Sequence, residues 1–230
     1  MELAHRESAE AMRERIREGG ADPQALRRTL TSVPPTARDA WLDLLLGLDE
    51  LPDDGPELPR DCVPYLPCPA DVLLRVIDEA SIRDSDVFVD VGAGIGRAAA
   101  CVNLLTGART IGLEIQSPLV RIGRAMMTEG LRLSQASLLE GDATVLTGLL
   151  PIGTVFFLYC PFGGPRLARW LDAIEPIACA KPIRICCVNL TLPPRPWLTC
   201  ASITGELAIY RSSGAVAVDA VPEGATDVGD

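Results

Sequence analysis

The stretch Val87-Phe88-Val89-Asp90-Val91-Gly92-Ala93-Gly94-Ile95-Gly96-Arg97 constrains this chain more than any other. An apolar, β-favouring run feeds a turn with glycine at every second position. The alanine-rich run after it reads as a helix. Glycine reaches positive φ without steric cost and lets a ligand approach the backbone. The start of a helix leaves N–H groups free to bind polar groups. A buried strand, a glycine turn and a helix in that order make the opening unit of a ligand-binding α/β sheet.

The rest of the chain repeats the alternation. Apolar periodicity predicts a helix over 71–80, strand 87–91, helix 97–105, strand 109–114 and helix 118–127. Strands 137–140 and 154–159, helix 165–174 and strand 183–189 follow. Alternating apolar strands and helices imply a doubly wound, mainly parallel sheet covered on both faces. Runs 197–202 and 206–211, parted by Thr204-Gly205, read as a C-terminal antiparallel hairpin. Before all this lie three helical runs, 1–19, 22–30 and 36–48. Asp22-Pro23 supplies a cap and a first-turn proline, and Pro34-Pro35 is a break. A Pro- and Asp-rich linker covers 51–61. The expected organisation is therefore α/β: a helical extension or cap over 1–55, a ligand-binding α/β domain over 56–215, and a mobile acidic tail over 216–230. The extension is expected near the carboxyl edge of the sheet, shaping a substrate pocket. A packing or oligomerisation role is the alternative.

The glycine spacing separates two cofactor classes. Dinucleotide sites use G-x-G-x-x-G. Gly92, Gly94 and Gly96 give G-x-G-x-G, preceded by Asp90. This D-x-G-x-G-x-G pattern resembles the first motif of class I S-adenosylmethionine (SAM)-dependent methyltransferases, which have a Rossmann-like sheet. The resemblance implies that the loop, with Ala93, wraps the methionine part of SAM and that Asp90 helps place its amino group. Glu114, at the end of the second strand, would accept the ribose hydroxyls. Asp142, after the third strand and beside Ala143, would meet the adenine amino group. An acid like Glu114 also marks NAD sites, so it discriminates only together with the glycines.

Val63-Pro64-Tyr65-Leu66-Pro67-Cys68-Pro69 resembles the P-Y-V-P-[ST] segment of seven-strand protein lysine methyltransferases and their bacterial relatives. There the aromatic residue borders the SAM pocket, which places Tyr65 at the cofactor. Leu66 and Cys68 replace the usual Val and Ser/Thr, so any hydroxyl role is lost. A linker aromatic packing on the core is the plainer alternative for Tyr65.

A second segment carries the reacting end. The apolar strand 154–159 runs into Tyr159-Cys160-Pro161-Phe162, and ligands of open α/β sheets sit beyond the carboxyl ends of strands. The segment resembles a degenerate [DN]-P-P-[YF] motif of amino-methylating enzymes, with Cys160 where Asn or Asp would stand. Tyr159, Cys160, Pro161 and Phe162 are the candidates for positioning the methyl acceptor. Tyr159 and Phe162 could bracket a flat or cationic group. Cys160 reads as a small pocket wall, as core packing, or as a thiolate nucleophile. The last lacks a His or fixed cation to lower its pKa.

Composition narrows the chemistry. The only histidine is His5, near the N-terminus, which argues against Ser–His and Cys–His hydrolysis. Methyl transfer needs alignment more than acid–base groups, so it survives this test. The 8 cysteines show no C-x-x-C pair, so no metal site is expected. Cys101 and Cys186 sit in apolar runs and read as core. A net charge of −10 argues against a nucleic-acid substrate, because such binding rests on Lys and Arg. No apolar run reaches membrane-spanning length and no secretory leader is legible, so a cytoplasmic protein is expected. The function expected is transfer of a methyl group from SAM, giving S-adenosylhomocysteine (SAH), to a small molecule or a protein amine. A non-catalytic SAM-binding scaffold is the alternative. The sequence leaves the acceptor atom and the oligomeric state open.

Overall fold

A computed structural model of the chain describes residues 3–20, 22–48, 52, 54, 58–59 and 61–214. The tail 216–230 and much of the linker 51–61 lie outside the described residues. Helices α1 (Leu3–Arg17), α2 (Pro23–Ser32), α3 (Pro35–Leu46) and α4 (Ala70–Glu79) precede the first strand. Then come β1 (Val87–Val91), α5 (Arg97–Thr106), β2 (Arg109–Glu114), α6 (Ser117–Ala125) and β3 (Ala136–Glu140). Strand β4 (Val155–Tyr159), α7 (Gly164–Ala180), β5 (Arg184–Val188), β6 (Leu198–Thr204) and β7 (Leu207–Ser212) complete the chain. A π-helical turn, Met126–Gly130, extends α6. A 3-10 helix, Thr147–Ile152, links β3 to β4.

The strands form one seven-stranded sheet in the order β3-β2-β1-β4-β5-β7-β6. Strands β1 to β5 are parallel, and β7 runs antiparallel between β5 and β6. The chain winds outward from β1 to β3 and then returns to lay β4 beside β1. That reversal makes the carboxyl ends of β1 and β4 the crevice where such sheets bind ligands. Period-two alternation splits the strand residues between two cores. Phe88, Phe157 and Cys186 belong to one core, together with buried residues of α1–α6. Val89, Phe156 and Cys187 face α7, where Phe156 meets Trp170 edge-on at 6.0 Å. Cys101 and Cys186 are both buried, as their apolar context predicts.

The N-terminal helices pack as a second layer on one flank, α2 against α5 and α3 against α4. Trp41, Leu26 and Leu30 bury there. The cap of α2 forms as expected: Asp22 accepts from the amides of Gln24 and Ala25 at 3.3 and 2.9 Å. Helix α7 departs from expectation. It runs past residue 174 and through Pro176 to Ala180. Proline removes one helical N–H, but Pro176 is exposed while Ile174 and Ala178, one turn apart, are fully buried. Packing of that stripe outweighs the lost bond.

Candidate active site

Strand β1 carries Asp90 into the sheet interior, where it is 3 % exposed. Burial, reinforced by the charge of Glu114, pushes its carboxyl up to about 7, against the pull of the Ala99 amide. Asp90 has no ion pair among the described residues. The turn that follows takes positive φ at Gly92, Gly94 and Gly96 (76°, 56° and 75°). Two of these have no room for a side chain. A β-carbon on Gly92 would collide with Cβ of Pro161, and one on Gly94 with the ring of Tyr65.

Glu114 fastens this turn from the neighbouring strand. One carboxylate oxygen accepts the Gly94 amide and the other the Gln116 amide, both at 2.8 Å. Burial raises its pKa, and the same amides oppose the rise. Tyr65 arrives from the segment before α4. Its amide donates to Oδ1 of Asp54 at 2.8 Å, and Nε2 of Gln116 reaches the same oxygen at 2.9 Å. The Tyr65 hydroxyl is buried without a hydrogen-bond partner among the described residues, and burial drives its pKa up.

At the opposite end, Asp142 accepts the amide and hydroxyl of Thr144 on Oδ1, at 2.9 and 2.8 Å. Its Oδ2 pairs with Arg166 at 2.6 Å, and Arg166 also reaches Asp61 at 3.1 Å. Burial would raise the Asp142 pKa, but Thr144 and Arg166 outweigh it and hold the carboxyl below its ordinary value.

Strand β4 ends at Tyr159, and Cys160 follows with φ of 39°. Tyr159 lies in register with Val188, so Cys160 stands beside Asn189, whose φ is 52°. Two adjacent parallel strands thus leave the sheet through left-handed residues that are not glycine, a conformation that concentrates at functional sites. The Val63 amide donates to the Pro161 carbonyl at 3.0 Å and Cys62 bridges to Phe162. This pairing ties the Tyr65 segment to the reacting edge. Burial raises the pKa of both Tyr159 and Cys160, so neither is an anion near neutral pH.

One cleft joins these parts. Among the residues that the sequence singles out, Tyr65, Gly92, Glu114, Asp142, Ala143, Tyr159, Cys160, Pro161 and Phe162 line it. Asp90, Ala93, Gly94 and Gly96 are not among its lining residues; Asp90 is buried and Gly94 lies under the Tyr65 ring. Sequence reading missed Arg166, Gln116 and Cys62, which also line the cleft. Arg166 had one legible signal, its place in the first turn of the helix after the Tyr159–Phe162 turn. No residue of α1–α3 is among the lining residues. Among the described residues no group of His, Cys, Asp or Glu is arranged to hold a metal. No described helix is long and apolar enough to cross a membrane.

No protein-family model matches the chain, and no curated protein does. Solved structures do. The protein yhhF from Escherichia coli, assigned as a methyltransferase, is 16% identical, with 64% of this chain and 90% of that chain covered and a TM-score of 0.51. HI0767 from Haemophilus influenzae, assigned as a methylase, is 17% identical over 64% of this chain and 91% of that chain, at 0.50. MtNAS in complex with MTA and tNA is 18% identical over 62% of this chain and 58% of that chain, also at 0.50. At these identities the likeness is one of architecture: the chain has the α/β Rossmann-like fold of class I methyltransferases, with antiparallel strands at its C-terminal end.

Proposed function

We propose that this protein is a SAM-dependent methyltransferase that binds SAM in the cleft between β1 and β4. The observation that carries the reading is Asp90, a carboxyl buried beside a glycine turn with no ion pair among the described residues. Burying an unpaired carboxylate is costly, and a ligand ammonium group would relieve that cost. The amino group of SAM is such a cation.

The other residues fit the same ligand. Gly92 brings the glycine turn to the cleft, where Pro161 packs against it, and the Tyr65 ring that covers Gly94 forms the neighbouring wall. The Glu114 carboxylate is held by backbone amides of Gly94, Ile115 and Gln116; of its about four acceptor positions one remains for a ribose hydroxyl. Asp142 uses three acceptor positions on Thr144 and Arg166. A carboxylate offers about four, so one remains for the adenine amino group. When bound, SAM supplies an activated methyl group on a sulfonium and leaves as SAH.

The residues at the reacting edge then position the acceptor and exclude water. Tyr159, Cys160, Pro161 and Phe162 surround it with weakly polar surface. With Tyr159 and Cys160 both held protonated, the edge offers no strong base. The acceptor must therefore bring its own lone pair, as an amine, thiol or activated carbon does. Alignment and desolvation supply the rate. A small molecule is the preferred acceptor, because Cys160 replaces the Asn or Asp expected in amine-methylating enzymes; a protein amine is second.

Calorimetric titration with SAM and SAH, with NADH as control, tests the cofactor. Binding that Asp90→Ala abolishes supports the reading, and well-folded protein that binds neither SAM nor SAH refutes it. Radiolabel from methyl-labelled SAM added to a cell extract tests the acceptor: label in protein bands would count against a small molecule.

A further inference from the structure

Arg97 is the first residue of α5, directly after Gly96, and its side chain is only 3 % exposed. Its guanidinium faces three partners from two other parts of the chain. Nε donates to Oδ1 of Asp43 at 2.7 Å, and Nη2 to Oδ1 of Asp39 at 3.0 Å, both on α3. Nη1 donates to the Cys68 carbonyl, three residues beyond Tyr65. The same Asp39 oxygen also accepts the amide of Ala70, the first residue of α4, at 2.8 Å. One buried cation thus joins the N-terminal helices, the segment that carries Tyr65, and the end of the glycine turn.

Such a cluster is a poor source of stability, since apolar residues of equal volume commonly do as well. What it fixes is geometry. A planar fork with several directed donors holds its acceptors in one arrangement, which a lysine cannot reproduce. The two surfaces it holds are the ones that meet at Gly94, where the Tyr65 ring lies against the turn.

We propose that Arg97 is a positioning residue through which α3 sets the glycine turn and the Tyr65 wall, so that cofactor affinity depends on Asp39 and Asp43. Neither aspartate lines the cleft. The inference rests on the cofactor reading above, and it gives the N-terminal helices a role in binding without contact.

The test compares Asp43→Asn, Arg97→Met and Arg97→Lys with Leu26→Ala. Leu26 is 2 % exposed in α2, and its truncation destabilises the same helical unit without touching Arg97. SAH affinity is measured by calorimetry, and amide hydrogen exchange is followed over 62–70 and 92–100. Asp43→Asn is expected to weaken SAH binding about tenfold, as for residues that act on a site through others. Arg97→Met should lose more, and Arg97→Lys should recover part of the loss. Leu26→Ala should lower the melting temperature with SAH affinity unchanged. The proposal falls if Asp43→Asn binds SAH within about twofold of wild type, or if Leu26→Ala loses as much affinity. Asp43→Asn keeps the test open if Arg97→Met does not fold. If wild-type protein binds no SAH, the cofactor reading fails, and exchange still decides the positioning. Faster exchange over 62–70 in Asp43→Asn than in Leu26→Ala supports it, and equal exchange overturns it.

Discussion

The ring of Tyr65 lies on Gly94 so closely that no side chain fits between them. Position 94 is constrained twice, since its φ of 56° is also one that side chains rarely adopt. Gly94→Ala should therefore cost about 1–3 kcal/mol of stability from backbone strain, besides the clash. Removing the ring in a Tyr65→Ala background relieves the clash but not the strain. Denaturant unfolding should then show the double variant recovering only part of what Gly94→Ala loses. Full recovery would mean that the backbone at Gly94 carries no strain.

Asp90 predicts opposite effects on stability and binding. Its folded pKa of about 7 lies above the ordinary 3.8. Between those values the folded protein holds a proton that the unfolded chain has released. Stability from this group is thus highest below about pH 4 and falls as pH rises toward 7, by up to about 1.4 kcal/mol per unit. Asp90→Asn cannot ionise and should be more stable than wild type at pH 8 by urea unfolding. The same variant should lose SAH affinity, because an amide does not pair with an ammonium group. Wild-type SAH affinity should climb from pH 5 to 7 and level off above, as Asp90 becomes anionic. An affinity flat across that range would separate Asp90 from the ligand.

What could be read in the sequence was local. Strands β1 and β2 fall at the residues that alternation marks, because an apolar run bounded by glycine or charge records its own length. The glycine turn, Glu114 and Asp142 are legible for the same reason: each lies at or just beyond the end of a strand. The remainder depends on contacts between distant segments. Arg97 lies more than fifty residues from Asp39 and Asp43 in the sequence. Only the fold places both aspartates around the buried Arg97 guanidinium. For Arg166 the place in the first turn of α7 is legible but its pairing is not, since its partners Asp142 and Asp61 lie far off in sequence. The continuation of α7 through Pro176 is set by packing of Ala178, which no local preference reports.

The Arg166–Asp142 pair should matter more for binding than for stability. The Asp142 side chain is 27% exposed, so water screens the pair and its loss should cost under about 1 kcal/mol. The depressed Asp142 pKa sets where even that disappears. The pair's contribution is fully present above the ordinary value of 3.8. It fades as pH falls below that, when the folded carboxylate takes up its proton. Chemical unfolding of Arg166→Gln should therefore show a small deficit at pH 7 that closes toward pH 3. Asp142→Ala, by contrast, should weaken SAH binding about tenfold through loss of one hydrogen bond to a charged acceptor. Equal affinity in that variant would remove Asp142 from the cofactor site.

Cys160 carries the strain at the reacting edge, with φ of 39° next to Asn189 at 52°. Asparagine tolerates the left-handed region better than cysteine, and a β-branched residue tolerates it least. Cys160→Asn should hold or raise stability by up to about 1 kcal/mol, while Cys160→Val should lose about 1–3 kcal/mol. The thiol offers a separate reading. Burial raises its pKa, so at pH 7.5 it stays protonated and reacts slowly. Timed alkylation with iodoacetamide, followed by peptide mass spectrometry, should modify the exposed Cys200 well before Cys160. If Cys160 is modified first, it is an activated thiolate rather than a wall of the pocket, and the acceptor edge works by nucleophilic chemistry instead of alignment.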